Sequence, residues 1–188
     1  MIAVLQKGGL LAFPTDTVFG LGCIVEDKAI SRVYEVKGRS FDKPLPMMCD
    51  SLAMMKRYAH VDERVEKIYE HFMPGALTLI LKKKESVPSY ATLGKDTIGI
   101  RVPDDEFILG LIADLGVPLM VTSANISGNG SLLKWQDVLA AMDGKIEAIC
   151  MEDATGENAS TIIDLTGNEI KVLRQGPLSI DEIREAIR

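Results

Sequence analysis

Apolar residues along this chain gather in short runs, and between the runs they recur every three or four positions. The runs Leu10–Phe13 and Leu21–Val25 read as strands, the first stopped by Pro14. Over Asp27–Lys37, Ala29, Ile30, Val33, Tyr34 and Val36 follow helical spacing, with Gly38 placed to end the helix. Pro44–Cys49 reads as extended. Ser51–His60 and Asp62–Phe72 read as helices, each opened by a residue type whose side chain caps free amides. Ala76–Leu81 and Thr97–Val102 are the clearest buried strands. A helix over Asp104–Leu115 separates the second from a strand at Pro118–Val121. A helix over Lys134–Met142, strands at Ile146–Met151, Ser160–Leu165 and Glu169–Leu173, and a helix over Ser179–Arg188 complete the pattern. Ser179 followed three residues later by Glu182 is a capping box. This alternation predicts an α/β fold in a single domain, 1–188, whose sheet mixes parallel and antiparallel pairs.

Composition narrows the class. At 188 residues, 47% hydrophobic and 26% charged, the chain is globular, which excludes disordered, collagen-like and disulfide-framed proteins. A net charge of −6 argues against coating nucleic acid in bulk but allows a local basic cleft. Three cysteines without a CxxC pair, and two histidines outside any HExxH pattern, give no metal site. Ala76–Leu81 is too short to span a bilayer, and Met1 is not followed by a secretion signal, so the expected location is the cytoplasm.

Neither a phosphate-binding GxxxxGK[ST] loop nor a GxSxG elbow is present. Three polar clusters remain. Pro14-Thr15-Asp16-Thr17, followed by Val18-Phe19-Gly20-Leu21-Gly22, sets hydroxyls and a carboxylate in a turn between strands, with glycines that would let a ligand approach the backbone; an ordinary hydroxyl turn has the same signature. Lys37, Arg39 and Lys43 place three cations within seven positions, a spacing suited to a triphosphate and equally to a helix C-terminus. Ser123-Ala124-Asn125 follows a buried strand, where ligands of α/β sheets gather. Ser160-Thr161 and Arg174 form a weaker set, and Arg101 at the end of a buried strand requires an anion, either a substrate carboxylate or an Asp. The Met47-Met48 and Met54-Met55 pairs read as core, Lys82-Lys83-Lys84 as a solvated edge, and His60 and His71 as surface.

Taken in order, these segments resemble the YrdC-like family of threonylcarbamoyl-AMP synthases of tRNA modification, from about Gly8 to Gly176. The resemblance rests on the PTDTVFGLG turn, Lys37-x-Arg39 with Lys43-Pro44-Leu45, Ile98–Pro103, Ser123–Gly128, and Ser160–Asp164 before Leu173-Arg174. It implies a twisted mixed sheet around a concave basic cleft, and a nucleotidyltransferase that converts L-threonine, bicarbonate and ATP into threonylcarbamoyl-AMP and pyrophosphate, with Mg²⁺ carried on the ATP phosphates. The product would pass to a separate transferase complex acting on tRNA. By the same resemblance Lys37 and Arg39 are catalytic; Arg39, Lys43, Ser123, Asn125, Ser131 and Arg174 hold ATP; and Thr17, Thr97, Arg101 and Ser160 hold threonine. Phe19 stands where many relatives carry Tyr, Met48 where some carry His, and Asn129–Leu133 departs from the usual continuation after Gly128. The resemblance is to the short form, for which no C-terminal extension domain of the kind longer relatives carry is expected. Two other readings stay open: a tRNA or double-stranded RNA binder of the same fold, and an ATP-binding paralogue without synthase activity.

Overall fold

The computed structural model describes residues 1–186. Its strands are β1 (Leu11–Phe13), β2 (Gly20–Ile24), β3 (Met47–Met48), β4 (Leu77–Lys82), β5 (Thr97–Arg101), β6 (Leu119–Ser123), β7 (Ala148–Ile149), β8 (Thr161–Asp164) and β9 (Lys171–Arg174). They form one nine-stranded sheet in the order β7-β1-β2-β6-β3-β5-β4-β8-β9. Three pairings are parallel, β1 with β7, β3 with β5 and β4 with β8, and the others are antiparallel. The mixed sheet expected from the alternating pattern is therefore present.

The helices are α1 (Ile2–Gln6), α2 (Asp27–Lys37), α3 (Leu52–Tyr58), α4 (Glu63–Phe72), α5 (Glu106–Leu115), α6 (Trp135–Met142) and α7 (Ile180–Ala186). Caps fix their boundaries. The side chains of Ser51, Asp62 and Asp105 accept from the amides of Met54, Val65 and Ile108, and open α3, α4 and α5. Gly38, at φ 58°, ends α2 in the left-handed region. The Ser179–Glu182 capping box forms in both directions, while the last two residues of the expected final helix lie outside the described ones.

Two expectations change. Ile2–Gln6 is a helix that the pattern did not predict, because its single fully buried residue, Leu5, gives no periodicity to read. The extended segments at 44–49 and 146–151 shrink to β3 and β7, two residues each; in the first, the prolines at 44 and 46 lack the amides a ladder needs.

Side-chain alternation divides the sheet into two faces. Leu77, Leu79, Leu81, Ile98, Ile100 and Ile163 point into the core. Thr78, Ile80, Thr97, Gly99, Arg101, Ile162 and Asp164, the intervening residues, line a cavity on the other face. Phe13 is fully buried against the backbone of β2: a Cβ at Gly22 would lie 2.7 Å from its ring, and one at Gly20 would lie 3.1 Å away. The Cβ side of both glycines is taken by this aromatic ring of the core, while Gly20 also lines the cavity.

Candidate active site

The cavity has a volume of about 670 Å³, within the range of small-molecule sites. Its floor is the alternate face of β4, β5 and β8, and its walls are the turn Thr15–Phe19, the loop Arg39–Pro46 and the end of β6. Gly99 keeps the floor low: a Cβ there would press within 3.2 Å of Ile80 and 3.3 Å of Pro46.

At one end the PTDT turn meets β5. Arg101, only 6% exposed, donates from Nε to the Gly75 carbonyl at 3.0 Å, from Nη1 to Thr17 Oγ1 at 2.7 Å and from Nη2 to Asp16 Oδ1 at 2.5 Å. Burial works against the guanidinium charge, and Asp16 opposes that effect. The hydroxyl chain has one direction. Thr15 Oγ1 donates to the Val18 carbonyl and accepts the Thr17 amide, so the Thr17 hydroxyl must donate to Thr15 while accepting from Arg101. The anion that Arg101 requires is thus Asp16, and of its five N–H donors three are engaged, leaving two for a ligand.

The remainder of the lining is strongly cationic. Arg39, Lys43, Lys95, Arg101 and Arg174 face the cavity, against Asp42 and Asp164. Burial, and then the positive charge of Arg101, lowers the pKa of Arg174, as expected of two guanidinium groups sharing one cavity. Arg174 is anchored by Nε to the Ser160 carbonyl and by Nη2 to Ser160 Oγ, which in turn pairs with Thr78 Oγ1 at 2.8 Å. The Arg39 loop is held from inside. The Tyr34 ring stacks on Phe41 at 4.4 Å, and the Tyr34 hydroxyl and Arg39 Nε both donate to the Lys43 carbonyl. Lys95 Nζ donates to the Asp42 carbonyl from the opposite rim.

Thr17, Arg39, Lys43, Thr97, Arg101, Ser123, Ser160 and Arg174 meet in this cavity, and Lys37, Asn125 and Ser131 do not line it. Ser131 is exposed in the loop before α6. The Lys37 ammonium donates to the Ser123 carbonyl, the Asn125 carbonyl and Asn125 Oδ1. Sequence reasoning missed Thr78 and Lys95. Thr78 was visible as the one polar residue within an apolar strand; Lys95 arrives only through a turn before β5, which no local pattern marks. Met48, expected as core, is 5% exposed and also borders the cavity.

Comparison with known proteins places these features in a lineage. The profile of the Sua5/YciO/YrdC family, described as telomere recombination, matches residues 3–176. The chain is 39% identical to threonylcarbamoyl-AMP synthase of Pyrococcus abyssi and 34% identical to that of Bacillus subtilis, covering 97% and 98% of this chain but 55% of each relative. It thus spans about half the length of these two proteins. A putative threonylcarbamoyl-AMP synthase of Methanocaldococcus jannaschii is 35% identical over 94% of this chain and 84% of its own length. The crystal structure of P. abyssi Sua5 complexed with L-threonine superimposes with a TM-score of 0.92, over 99% of this chain and 56% of that one. The crystal structure of Escherichia coli YciO, 27% identical, gives 0.90 over 97% of this chain and 90% of that one.

Proposed function

The chain belongs to the Sua5/YciO/YrdC family, and from that membership we propose that it is a threonylcarbamoyl-AMP synthase acting on L-threonine, bicarbonate and ATP. The observation that carries the proposal is the cavity itself, which sets a cluster of cations beside a polar end built from Arg101 and Thr17. Each substrate would bring negative charge, and the cavity supplies positive charge in a chain whose net charge is −6.

The chemistry needs little from side chains beyond placement. The threonine amine adds to the bicarbonate carbon and water leaves, giving a carbamate. A carbamate oxygen then attacks the α-phosphorus of ATP, and the bond to the β-phosphate breaks with release of pyrophosphate. Arg39, Lys43 and Arg174 would neutralise the phosphates, while the two uncommitted N–H groups of Arg101 would take the threonine carboxylate. Preorganised cations of this kind lower the barrier by meeting charge as it develops. Among the described residues no three His, Cys, Asp or Glu side chains converge on a metal, so Mg²⁺ would be held by the ATP phosphates and would share in neutralising them. The product would be consumed by a separate transferase that acts on tRNA, and among the described residues no helix is long and apolar enough to cross a membrane.

A second reading is an ATP-binding paralogue without synthase activity. It is favoured by the engagement of Arg101 with Asp16, which already supplies that guanidinium with an anion. Isotopically labelled bicarbonate separates the two readings. Label in threonylcarbamoyl-AMP is the expected result; label left as bicarbonate while ATP still binds would favour the paralogue.

A further inference from the structure

The end of α2 meets the loop after β6 in an unusual way. Lys37 is 1% exposed, yet among the described residues no carboxylate neutralises it: its partners are the carbonyls of Ser123 and Asn125 and the side-chain oxygen of Asn125, the last at 3.3 Å. Its own carbonyl accepts the Ser127 amide at 2.8 Å, so one residue grips this loop at both ends. Asn125 is fully committed as well. Its Oδ1 accepts from Ser123 Oγ and Lys37 Nζ, and its Nδ2 donates to the carbonyls of Ile126 and Asn129. Neither side chain keeps a free polar valence for a nucleotide, because an ammonium has three donors and a primary amide two donors and two acceptor sites. What reaches the cavity is Ser123, whose hydroxyl proton is spent on Asn125 and whose oxygen is left to accept, and Arg39, two residues beyond Lys37.

We propose that Lys37 is a positioning residue which, together with Asn125, fixes the Ser123 and Arg39 walls of the nucleotide cavity and does not itself touch the nucleotide. This rests on the reading that ATP binds in the cavity. A buried cation surrounded by backbone carbonyls lacks the mobility to follow a phosphate through a reaction, and moving it would strand three oxygen atoms away from water.

The test uses the full chain with ¹⁵N-labelled lysine, following the Lys37 ε-ammonium signal during titration with ATP and Mg²⁺. The expected result is a slowly exchanging signal present before ATP and unmoved by it, while backbone amides around Arg39 shift. A Lys37 signal that moves together with the Arg39 amides would overturn the proposal in favour of direct phosphate contact. If no amide shifts at all, the nucleotide reading itself fails, and the proposal with it. In Lys37→Met, KM for ATP should rise about tenfold, the loss expected from leaving one buried hydrogen-bond group without its partner, and KM for L-threonine should stay within about twofold. A lower melting temperature with both constants unchanged would reduce Lys37 to a purely structural residue and contradict the assignment.

Discussion

Arg101 shows how one side chain can be both neutralised and available. Its bond to Asp16 at 2.5 Å settles its charge inside the fold, so its remaining use is directional: two N–H groups aimed from a fixed plane. Arg101→Lys would keep a cation beside Asp16 and lose that fork. We expect KM for L-threonine to rise about tenfold or more in this variant, with KM for ATP little changed; equal increases in both would remove Arg101 from the threonine end. Lys37 carries a pH dependence. Burial, and then the positive charge of Arg39, brings its pKa down from 10.5 to about 8. Below that value the ammonium serves all three oxygen acceptors; above it, the neutral amine has two N–H groups for the three. KM for ATP should therefore increase as pH rises through about 8, and initial rates measured across that range should show no such step in Lys37→Met. The sequence could identify Lys37, Arg39, Ser123 and Asn125 as one group, but not which of them face the cavity. That division depends on which polar valences are already used, and only the packed loop reveals it.

At the scale of elements, legibility followed burial and caps. Strands β4 and β5 and helices α2 to α5 were readable because one face of each meets the core and their ends carry Ser, Asp or Gly at the positions that backbone geometry requires. The short elements, α1, β3 and β7, depend on partners distant in the chain. β3 exists because Met47 and Met48 lie between β6 and β5. The glycines of β2 were legible as special, but for a different cause: the Phe13 ring meets them only once β1 and β2 pair in register, Phe13 opposite Gly20. Gly22→Ala would push the new methyl into Phe13, 2.7 Å from its nearest ring atom. A loss of about 1–3 kcal/mol in unfolding free energy is expected from such overpacking, measured by denaturant titration; an unchanged midpoint would show that the Phe13 ring is free to shift.

For the whole molecule, the feature that matters is the separation of charge. An acidic chain with net charge −6 collects five cations against two carboxylates in one cavity, by placing them on loops and strand ends that converge above a single sheet face. Composition alone could state only that such a cleft was allowed. Among the described residues neither a cysteine nor a histidine lines that cavity, and a reaction in which the substrates supply nucleophile and leaving group is suited to its cationic lining. In the proposed reaction this cavity joins threonine, bicarbonate and ATP. The direct measurement is pyrophosphate release by the purified chain with ATP and Mg²⁺, omitting L-threonine or bicarbonate in turn. Release that requires both is the predicted result; release without threonine, or none while ATP still binds, would contradict it.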